Sequence, residues 1–223
     1  MATSDAGDDQ SFGSAAGAAP CGADVQKKGL RASEQRREEV IARRAAYQEI
    51  VATIDANKLI FIDESGCNLS MTPRCAWSLA GVRAEAFRPM NWGKNVTMIG
   101  AVRTTGLVTL RSMEGAMKTM DFLQFVARDL VPKLKLDDVV VLDNLRQHHD
   151  PRVRLMIENA GAKILYLPPY CPDLSPIEPY WSAFKAYLRR FEARTKEALF
   201  DAIHAVRKQR IPTRNFFTHC GYP

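Results

Sequence analysis

The stretch Asp138-Val139-Val140-Val141-Leu142-Asp143 contains the clearest strand pattern in the sequence. Its four consecutive apolar residues predict a short buried strand. An acidic residue follows the strand directly, and the carboxyl ends of strands are where α/β proteins usually carry their functional sites. Asp143 is therefore the first candidate for a functional side chain.

A second apolar run, at residues 59–62, ends in the same way at Asp63. Alternation along a strand places Phe61 and Asp63 on one face and Ile62 and Glu64 on the other, so we expect Asp63 and not Glu64 to share a site with Asp143. A carboxylate at the tip of a buried strand is costly unless a cation meets it. An Asp at such a junction can also simply bond to nearby backbone, and the pattern leaves both readings open.

The order of the remaining elements predicts an α/β domain with a mixed sheet flanked by helices. Further strands are expected at residues 76–78, 96–102 and 163–167. Helices are expected from a cap at Thr119 to Leu130 and at residues 152–159, 176–191 and 196–207. We predict three regions along the chain: a disordered tail at 1–24, a linker at 25–57 with an amphipathic helix at 33–54, and the catalytic domain at 58–223.

A third acid, Glu178, lies at the start of the predicted helix 176–191. Ser175-Pro176-Ile177-Glu178 has the pattern of a capping box, with Ser175 as the N-cap. Glu178 also lies on the rim of the apolar stripe, and Lys185 lies on the same rim two turns later. Capping and metal binding are both open for Glu178. The predicted stripe consists of Ile177, Trp181, Phe184, Leu188 and Phe191.

The composition excludes several classes of protein. The chain has 223 residues and five scattered cysteines with no C-x-x-C pair, which argues against a disulfide framework and a structural zinc site. It has no long apolar run, so a membrane span is not expected. The net charge is +6, and residues 185–214 carry nine Lys or Arg against three acids. This excess suits a polyanionic partner, although a solvated basic face is an equally good explanation.

Three acids from distant parts of the chain would form a set suited to hard divalent cations. Mg²⁺ prefers oxygen ligands and needs few protein carboxylates when substrate phosphate completes its shell. Two such ions can activate water or a 3′-hydroxyl for an in-line displacement at phosphorus. No protein nucleophile is then required.

The motifs around these acids resemble those of DDE transposases, most closely the bacterial insertion-sequence branch of the mariner superfamily. Asp143 and Glu178 have 34 residues between them, the spacing familiar in this superfamily, and the long proline-rich motif is the most specific part. The matching segments are residues 59–65, residues 141–144 with His148, residues 167–178 with Trp181 and Lys185, and residues 91–95.

The resemblance implies an RNase H-like (retroviral integrase-like) fold with Asp63, Asp143 and Glu178 as catalytic residues and ligands of two Mg²⁺ ions, for which Mn²⁺ can substitute. It implies cleavage at transposon ends and joining of 3′-hydroxyls to target DNA, usually at a TA dinucleotide. Further residues at motif positions are expected to support the active site or contact DNA, namely Asn144, His148, Lys185, Lys94 and Asn95. For His148, a surface position in a loop is an equally good interpretation.

The resemblance also implies DNA as partner, a homo-oligomer on DNA and a cytoplasmic, nucleoid-associated protein of bacteria. Full-length relatives carry N-terminal helix-turn-helix modules that have no counterpart here, so a separately encoded N-terminal half is a further expected partner. Two alternatives stay open. One is another RNase H-like nuclease, such as an RNase H or a junction resolvase, and the other is an inactive or regulatory DNA-binding remnant.

Overall fold

The computed structural model describes residues 32–93 and 95–222. The tail predicted at 1–24, the first residues of the predicted linker and Lys94 lie outside them. No helix in the described part is long and apolar enough to cross a membrane.

A five-stranded sheet forms the centre of the domain, with strand order β3-β2-β1-β4-β5. β1 pairs antiparallel with β2, and β2 with β3, whereas β1, β4 and β5 are parallel to one another. The predicted mixed sheet is therefore confirmed. The strands are β1 (Leu59–Cys67), β2 (Val96–Arg103), β3 (Gly106–Glu114), β4 (Val139–Leu142) and β5 (Lys163–Tyr166).

Helices cover both faces of the sheet because alternate residues of the central strands point to opposite sides. Phe61 and Val141 belong to the core shared with α1, α4, α5 and α6, whereas Ile62 and Leu142 belong to the core shared with α2 and α3. The helices are α1 (Glu38–Ala52), α2 (Thr119–Phe125), α3 (Pro151–Asn159), α4 (Ile177–Phe191), α5 (Lys196–Arg207) and α6 (Arg214–His219), with one π-helical turn, Val126–Leu130, continuing α2.

Gly100 lets α4 approach the sheet beside the predicted site. It pairs with Asp63 across β1 and β2. A Cβ added at Gly100 would lie 2.9 Å from Cη2 of Trp181, closer than such atoms normally approach. Trp181 is buried on α4, three residues after Glu178. The absence of a side chain at Gly100 therefore lets Trp181 of α4 pack closely on the strand position that pairs with Asp63.

Several sequence predictions were wrong. Residues 76–78 form no strand, and Trp77 is fully exposed because no neighbouring strand pairs with it. Thr119 is not the cap of α2; Lys118 is the N-cap, and its backbone N–H donates to Asp121. Phe191 is half exposed because it is the last residue of α4, beyond the buried stripe. Two elements, β3 and α6, were not predicted.

Candidate active site

Asp63 and Asp143 lie side by side because their strands are parallel neighbours in the sheet. Phe61 is opposite Val141 in the register of β1 and β4, so the two acids, each two residues further on, follow at the same level. Both side chains line one cavity of about 440 Å³. The alternation of β1 places the neighbouring Glu64 elsewhere, where it faces His148, as the period of two requires.

Glu178 lines the same cavity from the first turn of α4. The predicted capping box is wrong: Pro176 is the N-cap, and no side chain caps the helix. The reason is local, because the 3-10 turn Pro172–Leu174 already offers the carbonyl of Pro172 to the N–H of Ser175 at 3.0 Å. Among the described residues, nothing hydrogen-bonds the Glu178 carboxylate, which is left to face Asp63 and Asp143.

Burial and neighbouring carboxylates raise the pKa of two of the three acids, Asp63 and Glu178. Burial, reinforced by the charges of Glu178, Glu64 and Asp143, raises the pKa of Asp63 to about 8. Burial also raises the pKa of Glu178, and Asp143 adds to this rise while Lys185 opposes it. The charged forms of Asp63 and Glu178 are therefore disfavoured in the absence of a cation, as expected for acids withdrawn from water beside other acids.

Asp143 differs from the other two acids because His148 holds it. His148 is fully buried, and its Nδ1 lies 2.6 Å from Oδ1 of Asp143 while its Nε2 lies 2.9 Å from Oε1 of Glu64. Burial opposes a charge on the imidazole, but these two hydrogen bonds outweigh it and raise the pKa of His148 to about 9. Both ring nitrogens therefore donate. The surface interpretation of His148 was wrong, and sequence analysis missed the role of Glu64.

One oxygen of Asp143 remains available. The backbone N–H of Leu145 donates to Oδ1 at 3.0 Å, so Oδ1 accepts two hydrogen bonds, whereas Oδ2 accepts none from the described residues. Burial raises the pKa of Asp143, but the hydrogen bonds from His148 and Leu145 outweigh it, and the net pKa is below its ordinary value. Asp143 is thus an ionised carboxylate with a fixed orientation.

The proline-rich loop between β5 and α4 forms one wall of the cavity and is tied on both sides. Asn144 donates from Nδ2 to the carbonyl of Leu167 at 2.5 Å, which links the ends of β4 and β5. Arg44 of α1 grips both carboxylate oxygens of Asp173 at 3.0 and 2.6 Å. The Tyr222 hydroxyl donates to the carbonyl of Leu174 at 2.6 Å. These contacts fix the loop that leads into α4, whose first turn carries Glu178. The contacts of Arg44 and Tyr222 were not predicted, since nothing local in the sequence signals them.

Not every predicted supporting residue reaches the cavity. Asn144 lines it, and His148 acts on it through Asp143. Lys185 is half-buried and lines an adjoining groove; burial lowers its pKa. Asn95 is exposed and contacts Asn68 instead, with Nδ2 of Asn68 3.4 Å from its Oδ1. Lys94 lies outside the described residues.

The donor set fits hard divalent cations, although it is not assembled as a finished metal centre. Within residues 32–93 and 95–222, no three His, Cys, Asp or Glu side chains are arranged closely enough to hold one ion. The cavity nevertheless has three carboxylates, from Asp63, Asp143 and Glu178, and oxygen is the donor that Mg²⁺ prefers. A divalent cation bound among them would offset the repulsion between their negative charges. Side-chain rotation is enough to change their spacing.

The fold is shared with a known transposase. The Mos1 mariner paired-end complex with Mn superposes with a TM-score of 0.65 at 17% identity, covering 88% of this chain and 62% of that chain. The Mos1 strand transfer complex gives 0.64 at 17% identity with the same coverage. The catalytic domain of Mos1 mariner transposase gives 0.58 at 13% identity, covering 86% and 91%. This confirms the predicted RNase H-like fold, and the chain spans less than two thirds of the Mos1 chains in the two complexes.

The sequence itself matches a known protein family. A comparison with curated proteins found no match. The family described as DDE superfamily endonuclease matches residues 58–199, which include β1, β4, the whole of α4 and all three acids. These residues make up more than half of the 223-residue chain. The protein therefore belongs to the DDE superfamily of endonucleases.

Proposed function

We propose that this chain is the catalytic part of a transposase that cleaves DNA at transposon ends and joins the freed 3′-hydroxyls to target DNA. The observation that carries the proposal is the convergence of Asp63, Asp143 and Glu178 on one cavity from β1, β4 and α4. Mos1 transposase, which has the same fold, has been solved in paired-end and strand transfer complexes. The excess of basic residues in this chain fits a DNA substrate.

The three acids are proposed to be the ligands of two Mg²⁺ ions, with Mn²⁺ as a substitute. When bound, the ions supply the Lewis acidity that activates a water or a 3′-hydroxyl and stabilises the leaving oxygen. The Asp143 carboxylate offers Oδ2, because Oδ1 is occupied by His148 and Leu145. Glu64 holds the far side of the His148 ring and prevents it from rotating. Such hydrogen bonds behind a ligand orient it and strengthen metal binding.

Other residues of the site have supporting roles in this proposal. Asn144 holds the proline-rich loop at the cavity wall. Lys185 lies two turns after Glu178 on α4 and is a cationic group for substrate phosphate. Lys94 and Asn95 remain candidates for DNA contacts from their sequence motif. The chain is expected to act as a homo-oligomer on DNA, to belong to the bacterial insertion-sequence branch of the mariner superfamily, to use TA target sites and to work with a separately encoded N-terminal half.

The test is a nicking assay on supercoiled DNA with Mg²⁺ or Mn²⁺, comparing the unmutated chain with Asp143→Asn. We expect the variant to lose activity by at least about 100-fold, because a ligand is removed. Asp150→Asn is the matched control, since Asp150 caps α3 away from the cavity, and it should retain activity. Circular dichroism verifies that both variants fold. Unchanged nicking by Asp143→Asn would refute the proposal, and cleavage of RNA–DNA hybrids without any joining of DNA ends would favour an RNase H instead.

A further inference from the structure

A basic groove adjoins the cavity of the three acids. It has a volume of about 760 Å³ and is lined by five cations, namely Arg74, Arg83, Arg88, Lys185 and Arg189. None of the described residues that line it is acidic. Within residues 32–93 and 95–222, none of these five cations pairs with a carboxylate. The four arginines therefore concentrate positive charge that no described carboxylate pairs with, whereas Lys185 also lies near the charges of Glu178 and Asp63.

The groove and the catalytic cavity share helix α4, because Glu178 lines the cavity and Lys185 and Arg189 line the groove. Glu178, Lys185 and Arg189 are spaced seven and four residues apart, which places them along one side of the helix. From Glu178 to Arg189 this side extends roughly 16 Å, at about 1.5 Å per residue. The opposite wall is the segment between β1 and β2, which contributes Arg74, Arg83 and Arg88.

The opposite wall is anchored to the domain. The Arg194 guanidinium donates to the carbonyls of Met71 and Phe87 at 3.1 and 3.2 Å, and to Thr72 Oγ1 at 3.3 Å. One side chain in the connection between α4 and α5 therefore ties residues 71 and 72, just before Arg74, and residue 87, just before Arg88. The arginines face the groove from a segment that is fixed at both ends.

The charges in the groove repel one another. Burial lowers the pKa of Arg189, and the nearby charge of Arg74 lowers it further. An anionic ligand would remove this repulsion. Four of the five cations are arginines, whose planar guanidinium groups bind phosphate through two parallel hydrogen bonds. These features favour phosphate groups spaced along a chain over a single small anion.

We infer that the groove binds the phosphodiester backbone of the DNA strand that extends from the catalytic cavity, over about five nucleotides at roughly 3.4 Å each. This inference rests on the proposed function, because it takes the acids as the place where the strand is cut. It assigns to Arg74, Arg83, Arg88 and Arg189 a role in holding the substrate that requires no metal ion.

The test measures DNA binding without catalysis. Fluorescence anisotropy of a labelled DNA duplex is recorded in EDTA between about 50 and 200 mM salt. The groove variant carries Arg74→Gln, Arg83→Gln and Arg88→Gln. The control variant carries Arg43→Gln, Arg128→Gln and Arg210→Gln, which remove the same charge from exposed positions outside the groove.

Loss of three phosphate contacts should reduce the slope of log K against log salt by about 2 to 3 and weaken binding about tenfold or more. The control variant should stay close to the unmutated chain. Equal affinity and slope for the two variants would overturn the inference, as would competition by polyglutamate as effective as that by unlabelled DNA. A failure of Asp143→Asn to abolish nicking would instead refute the proposed function. The DNA affinity measured in EDTA does not depend on that result.

Discussion

Replacing Asp63 with Asn should stabilise the metal-free protein while abolishing its metal-dependent activity. The pKa of Asp63 is raised to about 8 in the folded state by burial and by the charges of Glu178, Glu64 and Asp143. Between its unfolded pKa of about 3.9 and about 8, the folded state binds more protons than the unfolded state. The free energy of unfolding therefore falls as the pH rises across this window. Asn cannot ionise, so the variant is free of this loss.

The size of the effect follows from the shift in pKa. A pH of 7 is about three units above the unfolded pKa of Asp63. The corresponding loss in the free energy of unfolding is about 4 kcal/mol at most, and about 1 kcal/mol if the side chains move apart. For a domain of this size that is a rise in Tm of about 2 to 16 °C. The amide should fit, since the Asp63 carboxylate accepts a hydrogen bond from the backbone of Glu64 and an Asn oxygen can do the same.

Urea unfolding at several pH values in EDTA measures this difference. The increase in the free energy of unfolding caused by Asp63→Asn should be small near pH 4 and should grow until about pH 8. Asp150→Asn is a control of opposite sign, because hydrogen bonds from Arg152 lower the pKa of Asp150 to about 2, so that removing its charge cannot stabilise the protein at neutral pH. Adding Mg²⁺ should stabilise the unmutated chain more than Asp63→Asn, since a ligand of the folded state raises its stability. An Asp63→Asn protein less stable than the unmutated chain at every pH would refute the reasoning.

Three further perturbations test the construction of the site. Gly100→Ala should destabilise the domain by about 1 to 3 kcal/mol in urea unfolding, because its Cβ would meet the Trp181 ring at 2.9 Å, and an unchanged midpoint would contradict this. His148→Asn should reduce the loss in the free energy of unfolding between pH 6.5 and 9. The raised pKa of His148 stabilises the fold below its unfolded pKa, and this stabilisation is lost as pH rises through about 9. An equal dependence of stability on pH in the variant and the unmutated chain would count against this role. Arg44→Gln should weaken Mg²⁺ binding by up to about tenfold in thermal titrations, whereas Arg43→Gln at an exposed position should not. Equal affinities for the two variants would show that the contact of Arg44 with Asp173 does not position Glu178.

Local patterns were enough to predict the acids and most of the secondary structure around them. The apolar runs before Asp63 and Asp143 specify strands, and alternation along β1 separates Asp63 from Glu64. β3 was missed because its sequence has neither a long apolar run nor a strict alternation, and its pairing with β2 depends on a hairpin. The bridge from Glu64 to His148 spans 84 residues, and no periodicity within a strand or helix reports such a contact.

The different environments of the three acids explain how one cavity can hold them before any cation arrives. Asp143 stays ionised because His148 and Leu145 donate to it, so it supplies a fixed negative charge at the end of β4. Asp63, which is withdrawn from water and lies near the charges of Glu178, Glu64 and Asp143, has a pKa of about 8 and is largely protonated at neutral pH. The metal-free cluster therefore carries less negative charge than its formula suggests, which reduces repulsion within the fold. A divalent cation must displace the proton from Asp63, so its affinity should rise with pH until about pH 8. The Asp63 carboxylate thus lowers the stability of the metal-free protein and raises its affinity for metal. Asp63→Asn should therefore raise that stability and lower that affinity.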